Sequence, residues 1–302
     1  MESPLSFKGI GGLTKPVTKL IEVLAAGTGR IYEPTHVVKM AKAEAEAQLI
    51  RAESEAIAES VRDRAKRRQE FAEDRRQLNI EEIAQRSISH LPPTVSSDPI
   101  DPDWIFAFVE ESKDTSNTEL QELWAKILAN EITQPGRCSK RTLRIVKAME
   151  RSDAVAFSRL ASYVFGSGDM VPFVLLPERG LQSWGVSMQN LHELNELRLI
   201  IEGPLRQTIG VLRNSGVTYF GKSFQMVLKD PKAERVNVPF LPLTTCGQEL
   251  LSICHAVPDP QYLAVIKQEL DSRHGVMLVE KLVVTLSPTE PKVGESLTGT
   301  EK

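Results

Sequence analysis

Cysteine and surplus charge of either sign are both scarce in this chain of 302 residues. Its three cysteines, Cys138, Cys246 and Cys254, are odd in number and lack the spacing of a disulfide framework, which favours a reducing, cytoplasmic setting. Lysine and arginine total 37 against 40 aspartates and glutamates, so the net charge is -3. A near-neutral chain has no general attraction for polyanions, and nucleic-acid binding would need a local basic patch.

The chain also lacks a long apolar run. The best candidate, residues 17–26, contains Lys19 and Glu22, and it is too short and too charged to cross a bilayer, which takes about 20 apolar residues. Its apolar residues have helical spacing and form one stripe: Val17, Leu20, Ile21 and Leu24. We expect a short helix docked on its own protein, with an interfacial helix on a membrane surface as the alternative.

Familiar catalytic and ligand-binding motifs are absent from the sequence as well. It contains no GxSxG, HExxH, Walker or Rossmann pattern. Cys246, Cys254 and His255 are the only close group of cysteine and histidine, and no second ligand pair at zinc spacing accompanies them. We therefore predict no catalytic, cofactor-binding or metal-binding residues, no cofactor, and a protein that is not an enzyme.

What the sequence does contain is a charged helical segment, residues 37–91, without glycine or proline up to His90. Its apolar seam is thin, which is typical of a coiled coil, and is built from Val38, Ala41, Ala45, Leu49, Ala52 and Ala56. After Lys42 the first half is acidic, whereas the second half opens with a cluster of five basic residues around the single Asp63: Arg62, Arg64, Lys66, Arg67 and Arg68.

This uneven charge predicts self-association, because antiparallel or staggered pairing sets the acidic half of one copy beside the basic cluster of another. Two alternatives stay open. One is a solvated helix with no partner. The other is a phosphate-binding patch for nucleic acid or lipid.

Prolines at 92, 93 and 99 end this helix and predict a linker over residues 92–99. Residues 100–166 then show four short amphipathic helices, a pattern that predicts a compact bundle. Capping patterns at residues 116–119, at Ser139 and at Ser152 with Asp153 mark three of the helix starts. Trp104 and Trp124 fall on the apolar faces, and we expect both in the core.

Three stretches together resemble a bacterial family of domains of unknown function. They are the GIGGLTKP start, the Ala/Glu/Arg-rich helix, and the block that contains LWAKILANEI and PGRCSKRTL. The resemblance implies a bacterial cytosolic protein, with some relatives in mobile or defence-associated regions, and carries no activity that could be transferred.

The C-terminal part, residues 167–286, resembles a winged-helix module followed by a dimer helix. The order is a helix ending in LNELRLI, a strand over residues 216–228, a turn, a strand over residues 235–243, and a helix starting at LTTCGQELL. In that arrangement the two strands form the wing, and its possible contact residues are Lys222, Lys229, Lys232 and Arg235. A polar tail, residues 287–302, is predicted to be disordered.

These patterns predict a mainly α protein with a smaller α+β part: a long N-terminal helix, a helical bundle and a C-terminal winged-helix-like domain. The N-terminal amphipathic segment, residues 1–36, precedes them. We expect a homo-oligomeric interaction or scaffold protein in a bacterial defence or stress context. The alternatives are a nucleic-acid binder that uses Arg62 to Arg68 with the basic wing, and a peripheral membrane protein anchored by its N-terminal helix.

Overall fold

The computed structural model describes residues 15–28, 61–168, 170–201, 208–212 and 215–281. Its helices are α1 (Lys15–Thr28), α2 (Val61–Ile88), α3 (Pro102–Ser112), α4 (Thr118–Thr133), α5 (Lys140–Ala148), α6 (Arg151–Ala161), α7 (Met188–Glu196), α8 (Thr245–Leu251) and α9 (Pro260–His274). Its strands are β1 (Val164–Ser167), β2 (Met170–Leu175), β3 (Thr208–Leu212), β4 (Ser215–Tyr219), β5 (Lys222–Leu228), β6 (Arg235–Pro242) and β7 (Val276–Lys281).

Helix α4 is the centre of the helical layer. Its stripe Trp124, Ile127, Leu128 and Ile132 is fully buried, and the ring of Phe108 lies 5.5 Å from that of Trp124 and 5.3 Å from that of Trp104. Both indole N–H groups have partners: Trp104 donates to the carbonyl of Cys138 (2.6 Å) and Trp124 donates to the hydroxyl of Thr115 (3.1 Å). Both tryptophans are core residues, as predicted.

The helix starts follow the local signals in the sequence. Asn117, Ser139 and Thr244 accept hydrogen bonds from backbone N–H groups in the first turns of α4, α5 and α8. Helix α6 starts at Arg151, with Glu150 as its cap and Asp153 completing a capping box. The starts of α4, α5 and α8 were visible in the sequence because each cap is a contact within four residues, whereas α6 starts one residue before the predicted Ser152 and is capped by Glu150.

The predicted fold class is wrong, because the protein is an α+β fold built on an extended antiparallel sheet. Within the described ranges seven strands pair in the order β3-β6-β2-β1-β4-β5-β7, and every pair is antiparallel. Strands β1 and β3, with four and five residues, were not foreseen. Such short strands have little pattern of their own, and their pairing partners are distant in sequence.

The predicted wing does not exist. Strands β5 and β6 are separated in the sheet by β2, β1 and β4, so the two supposed wing strands do not pair. The stretch 216–228, expected as one strand, is the hairpin of β4 and β5. The fold is therefore not a winged helix, and the basic residues assigned to a wing do not form one.

The β4-β5 hairpin turns through Phe220 and Gly221, both in the left-handed region, with φ of 46° and 77°. Two residues with positive φ are typical of a type I′ turn, where glycine is favoured. We expect Gly221→Ala to lower the free energy of unfolding by about 1–2 kcal/mol. Gly216→Ala on β4 is the matched control, since its Cβ would meet nothing within 4 Å and its φ is not positive. Urea denaturation of both variants tests this, and equal losses would contradict it.

Helix α1 is docked on the helical layer, as predicted. Val17, Leu20, Ile21 and Leu24 are all buried, and the Lys19 ammonium donates to the carbonyls of Ser96 (2.6 Å) and of Asp98 (2.9 Å). The stripe that a membrane-bound helix would need at the surface is thus part of the core. No helix among the described residues combines the length and the apolar composition that a membrane span requires.

Two predicted segments cannot be compared with the structure. The seam of the charged segment, residues 37–60, and the tail, residues 287–302, both lie outside the described residues. The described part of the charged segment is α2, which ends at Ile88, close to the expected end.

Candidate interaction surfaces

Helix α2 changes character halfway along its length. Every residue from 63 to 71 is exposed, more than two full turns, so no face of this part packs on the body. From Asn79 onward the helix has a buried face made of Asn79, Ile80, Ile83, Ala84 and Ser87. We call residues 63–75 the arm, because this part of α2 extends from the body while the rest of the helix is packed.

The basic cluster predicted from the sequence lies on the arm. Arg64, Lys66, Arg67 and Arg68 are all exposed. The backbone of Arg62 is helical, and its side chain lies outside the described part of the chain. Lys66 and Glu70 form an exposed ion pair of 3.8 Å, a kind of pair that contributes little stability in water. The four basic side chains are therefore exposed within little more than one turn of the helix and are distributed around its axis.

The acidic residues next to this cluster continue along the same helix. Glu70, Glu73 and Asp74 are exposed, and Phe71 lies among them with 36% of its surface accessible. A large aromatic side chain in the middle of a charged helix is a common anchor in protein interfaces. The arm thus combines a basic part, an acidic part and an apolar side chain within about three turns.

Polar contacts fix the root of the arm on the turn between α3 and α4. Arg76 bonds to Asp114 (2.8 Å), Arg75 donates to the hydroxyl of Ser116 (2.9 Å), and the amide of Asn79 donates to the carbonyl of Lys113 (2.9 Å). The Arg76 guanidinium lowers the pKa of the Asp114 carboxyl. These contacts set the direction in which the arm leaves the body.

The four residues predicted as wing contacts are not brought together. Lys222 is the first residue of β5 and Lys229 directly follows its last residue, so the two are roughly 23 Å apart at 3.3 Å per residue. Lys222 pairs with Glu280 (3.1 Å) and Lys229 pairs with Asp271 (2.7 Å). Lys232 and Arg235 are exposed on the segment that leads into β6. No single basic patch results, and none of the four lies on the arm.

A buried carboxylate in the most distinctive block of the sequence was missed. Glu131 has only 2% of its surface exposed, and it accepts hydrogen bonds from the N–H groups of Gly136 (2.6 Å) and Cys138 (3.1 Å). Burial raises the pKa of this carboxyl above its ordinary value. Its position on the buried stripe of α4, seven residues after Trp124, was the available signal.

A second carboxylate joins the same region to the sheet half of the protein. Glu249 on α8 accepts from the N–H of Ser139 (2.7 Å) and from the hydroxyl of Thr142 (2.6 Å), both at the start of α5. A carboxylate is favoured there by the exposed N–H groups and the dipole of the helix. The block LWAKILANEI to PGRCSKRTL and the motif LTTCGQELL therefore contact each other, and the contacts are structural.

No group of three or more histidine, cysteine, aspartate or glutamate side chains in the described ranges is arranged to hold a metal ion. Cys138 and Cys246 are buried, and Cys254 is partly buried.

A family model described as a protein of unknown function (DUF2806) matches residues 63–267, which is more than half of the chain. The match includes the arm, the helical layer and most of the sheet. No curated protein and no solved structure matches the chain.

Proposed function

The chain belongs to this family of unknown function, and we propose that it is a non-enzymatic interaction protein that self-associates through the arm. The observation that supports the proposal is the unbroken run of exposed residues from 63 to 71 on a helix whose other end is firmly packed.

A helix that is polar all round gains almost nothing from burial on its own protein. Short isolated helices are marginal in water, because the cost of nucleation is recovered only over many residues or by packing against a partner. The arm avoids part of this cost, since it continues a packed helix. A partner helix would bury Phe71 and add the stabilisation that the arm lacks.

Two arms are complementary in antiparallel contact. In an antiparallel pair centred on Phe71, Arg68 of one copy would lie beside Asp74 of the other, because both residues are within one turn of Phe71 on the same face of the helix. Opposite charges in facing positions favour this register over a parallel one, in which like charges meet. The proposal therefore predicts an association that weakens with salt.

The test is the double variant Arg67→Glu and Arg68→Glu in the full chain. We expect light scattering to show a dimer or larger species for the unchanged protein at micromolar concentration. The dissociation constant of the variant's dimer should be at least about tenfold higher, because like charges then face each other. Lys232→Glu with Arg235→Glu is the matched control, a double reversal away from the arm. A monomeric unchanged protein, or equal behaviour of the two double variants, would contradict the proposal.

A nucleic-acid-binding function is the second candidate, since the same four basic side chains are exposed within little more than one turn of the arm. Contacts to phosphates release counterions, so binding of a fluorescent DNA duplex should fall steeply between 50 and 200 mM salt. The unchanged protein should bind at low salt, and the Arg67→Glu, Arg68→Glu variant should not. Absence of binding by the unchanged protein at low salt would remove this candidate.

A further inference from the structure

A groove of about 380 Å³ lies on the side of the helical layer that faces α8. Helix α4 forms one wall, α6 the opposite wall, and α8 with the segment 252–255 closes one end. Its apolar lining consists of Leu123, Met149, Phe157, Leu250 and Ile253. The volume lies in the range of small-molecule pockets, and an apolar lining with a few polar groups is typical of them.

The acidic side chains at the rim of the groove already have cationic partners. Glu119 pairs with Arg151 (2.5 Å). Glu122 bonds to the ring of His90 (2.6 Å) and lies 3.9 Å from Arg86. Glu119 is therefore balanced by Arg151, whereas Glu122 bonds to an imidazole and shares Arg86 with Glu82, which lies closer to that guanidinium (2.7 Å).

Lys126 is different, since it is partly buried on the same face of α4 and forms no ion pair or hydrogen bond within the described ranges. The charge of its ammonium favours the thiolate form of Cys254, and the Ser158 hydroxyl is a hydrogen-bond partner of the same sulfur. Burial raises the pKa of this thiol to about 11, so the thiol is neutral at physiological pH and does not balance the lysine. A partly buried cation without a counter-ion, beside an apolar pocket, is complementary to an anion.

We propose that the groove binds a small amphipathic carboxylate, whose anionic group pairs with Lys126 and whose hydrocarbon part lies on the apolar lining. The apolar side chains supply area that becomes buried by a short alkyl chain. This ligand is independent of the arm, and the site can be present whether or not the arm self-associates.

Sodium octanoate is the probe, and the modification rate of Cys254 by a neutral thiol reagent at pH 8.5 is the readout. Cys138 and Cys246 are buried, so Cys254 is the most accessible thiol, and a Cys254→Ser variant identifies its signal. We expect saturating octanoate to slow modification at least about fivefold in the full chain. Octan-1-ol, which has the same chain without the charge, should protect far less.

Variants of Lys126 distinguish an effect of its charge on ligand binding from an effect on the stability of the fold. Lys126→Met should weaken octanoate binding, measured by calorimetry, by about tenfold or more and abolish the protection, while Lys126→Arg should retain both. Lys232→Met is the control away from the groove, and unchanged urea midpoints confirm that the variants are folded. Absence of octanoate binding, equal protection by octan-1-ol, or unchanged affinity in Lys126→Met would each overturn the proposal.

Discussion

Gly247→Ala is expected to lower the free energy of unfolding by at least about 3 kcal/mol, although alanine is the better helix former. Gly247 lies in the first turn of α8, and a Cβ there would overlap the carbonyl oxygen of Leu199. That carbonyl cannot easily move away, because the backbone N–H of Thr244 donates to it (3.0 Å). The hydroxyl of Thr244 also reaches it (3.3 Å).

Urea denaturation and thermal melting measure this effect, and the melting midpoint should fall by roughly 6–12 °C for a protein of this size. Gly168→Ala is the matched control, since its Cβ would meet nothing within 4 Å. A stability gain of about 1 kcal/mol, as helix propensity alone gives, would show that α8 can shift away from Leu199. The close approach inferred here would then be wrong.

The same residue shows what a sequence can and cannot indicate. The motif LTTCGQELL predicted a helix capped by Thr244 or Thr245, because a cap is a local contact, and in the structure the cap is Thr244. It did not indicate why glycine follows at 247, since Leu199 is 48 positions away. The winged-helix interpretation gave part of the order of elements correctly, but it paired the wrong strands. Strand pairing depends on contacts between residues far apart in sequence, and the order of elements does not determine it.

The hairpin of β4 and β5 gives the same lesson. Residues 216–228 have a continuous strand-like composition, and the turn inside them was marked only by Gly221. Once that turn was missed, β5 and β6 became the only available pair for a wing. In the structure β6 pairs with β2 and β3, which come from both sides of α7 in the sequence.

Whether a candidate surface could be predicted from the sequence depends on how many helices or strands contribute residues to it. The basic cluster of the arm was evident from the sequence, because all its residues lie within two turns of one helix. The groove was not evident from the sequence, because its walls come from α4, α6 and α8, and only their packing shows which side chains surround Lys126. Features within one helix or strand can be predicted from periodicity and composition. Features built from several elements can be recognised only when the packing of those elements is known.

The second large effect is expected at Glu131, where replacement by alanine should cost about 3 kcal/mol or more. Alanine leaves the N–H groups of Gly136 and Cys138 without their acceptor, and the N–H of Cys138 is buried. The same turn positions the carbonyl that Trp104 binds and the cap Ser139. Loss of the carboxylate should therefore loosen the start of α5 as well.

Glutamine at buried Glu131 and at partly buried Glu249 provides the sharper comparison. Glu131 uses both of its oxygens, Oε1 for Gly136 and Oε2 for Cys138, so Glu131→Gln sets an NH2 group against an N–H donor. Glu249 accepts both of its bonds with Oε2, so the single carbonyl oxygen of Glu249→Gln can replace it. We expect a loss of about 2 kcal/mol for Glu131→Gln and less than about 1 kcal/mol for Glu249→Gln, measured by urea denaturation.

The pH dependence of the Glu131→Gln effect has a definite sign. Burial raises the pKa of Glu131 above 4.5 in the folded protein, so the folded state binds the proton more tightly than the unfolded chain does. The contribution of Glu131 to stability is therefore fully present below 4.5 and is lost as the pH rises through the raised pKa. Glutamine does not titrate, so the stability difference between the unchanged protein and Glu131→Gln should be larger at pH 5 than at pH 7.5. A difference that shrinks toward pH 5 would mean that the ionised carboxylate is the favoured form, with the two N–H bonds outweighing the cost of burial.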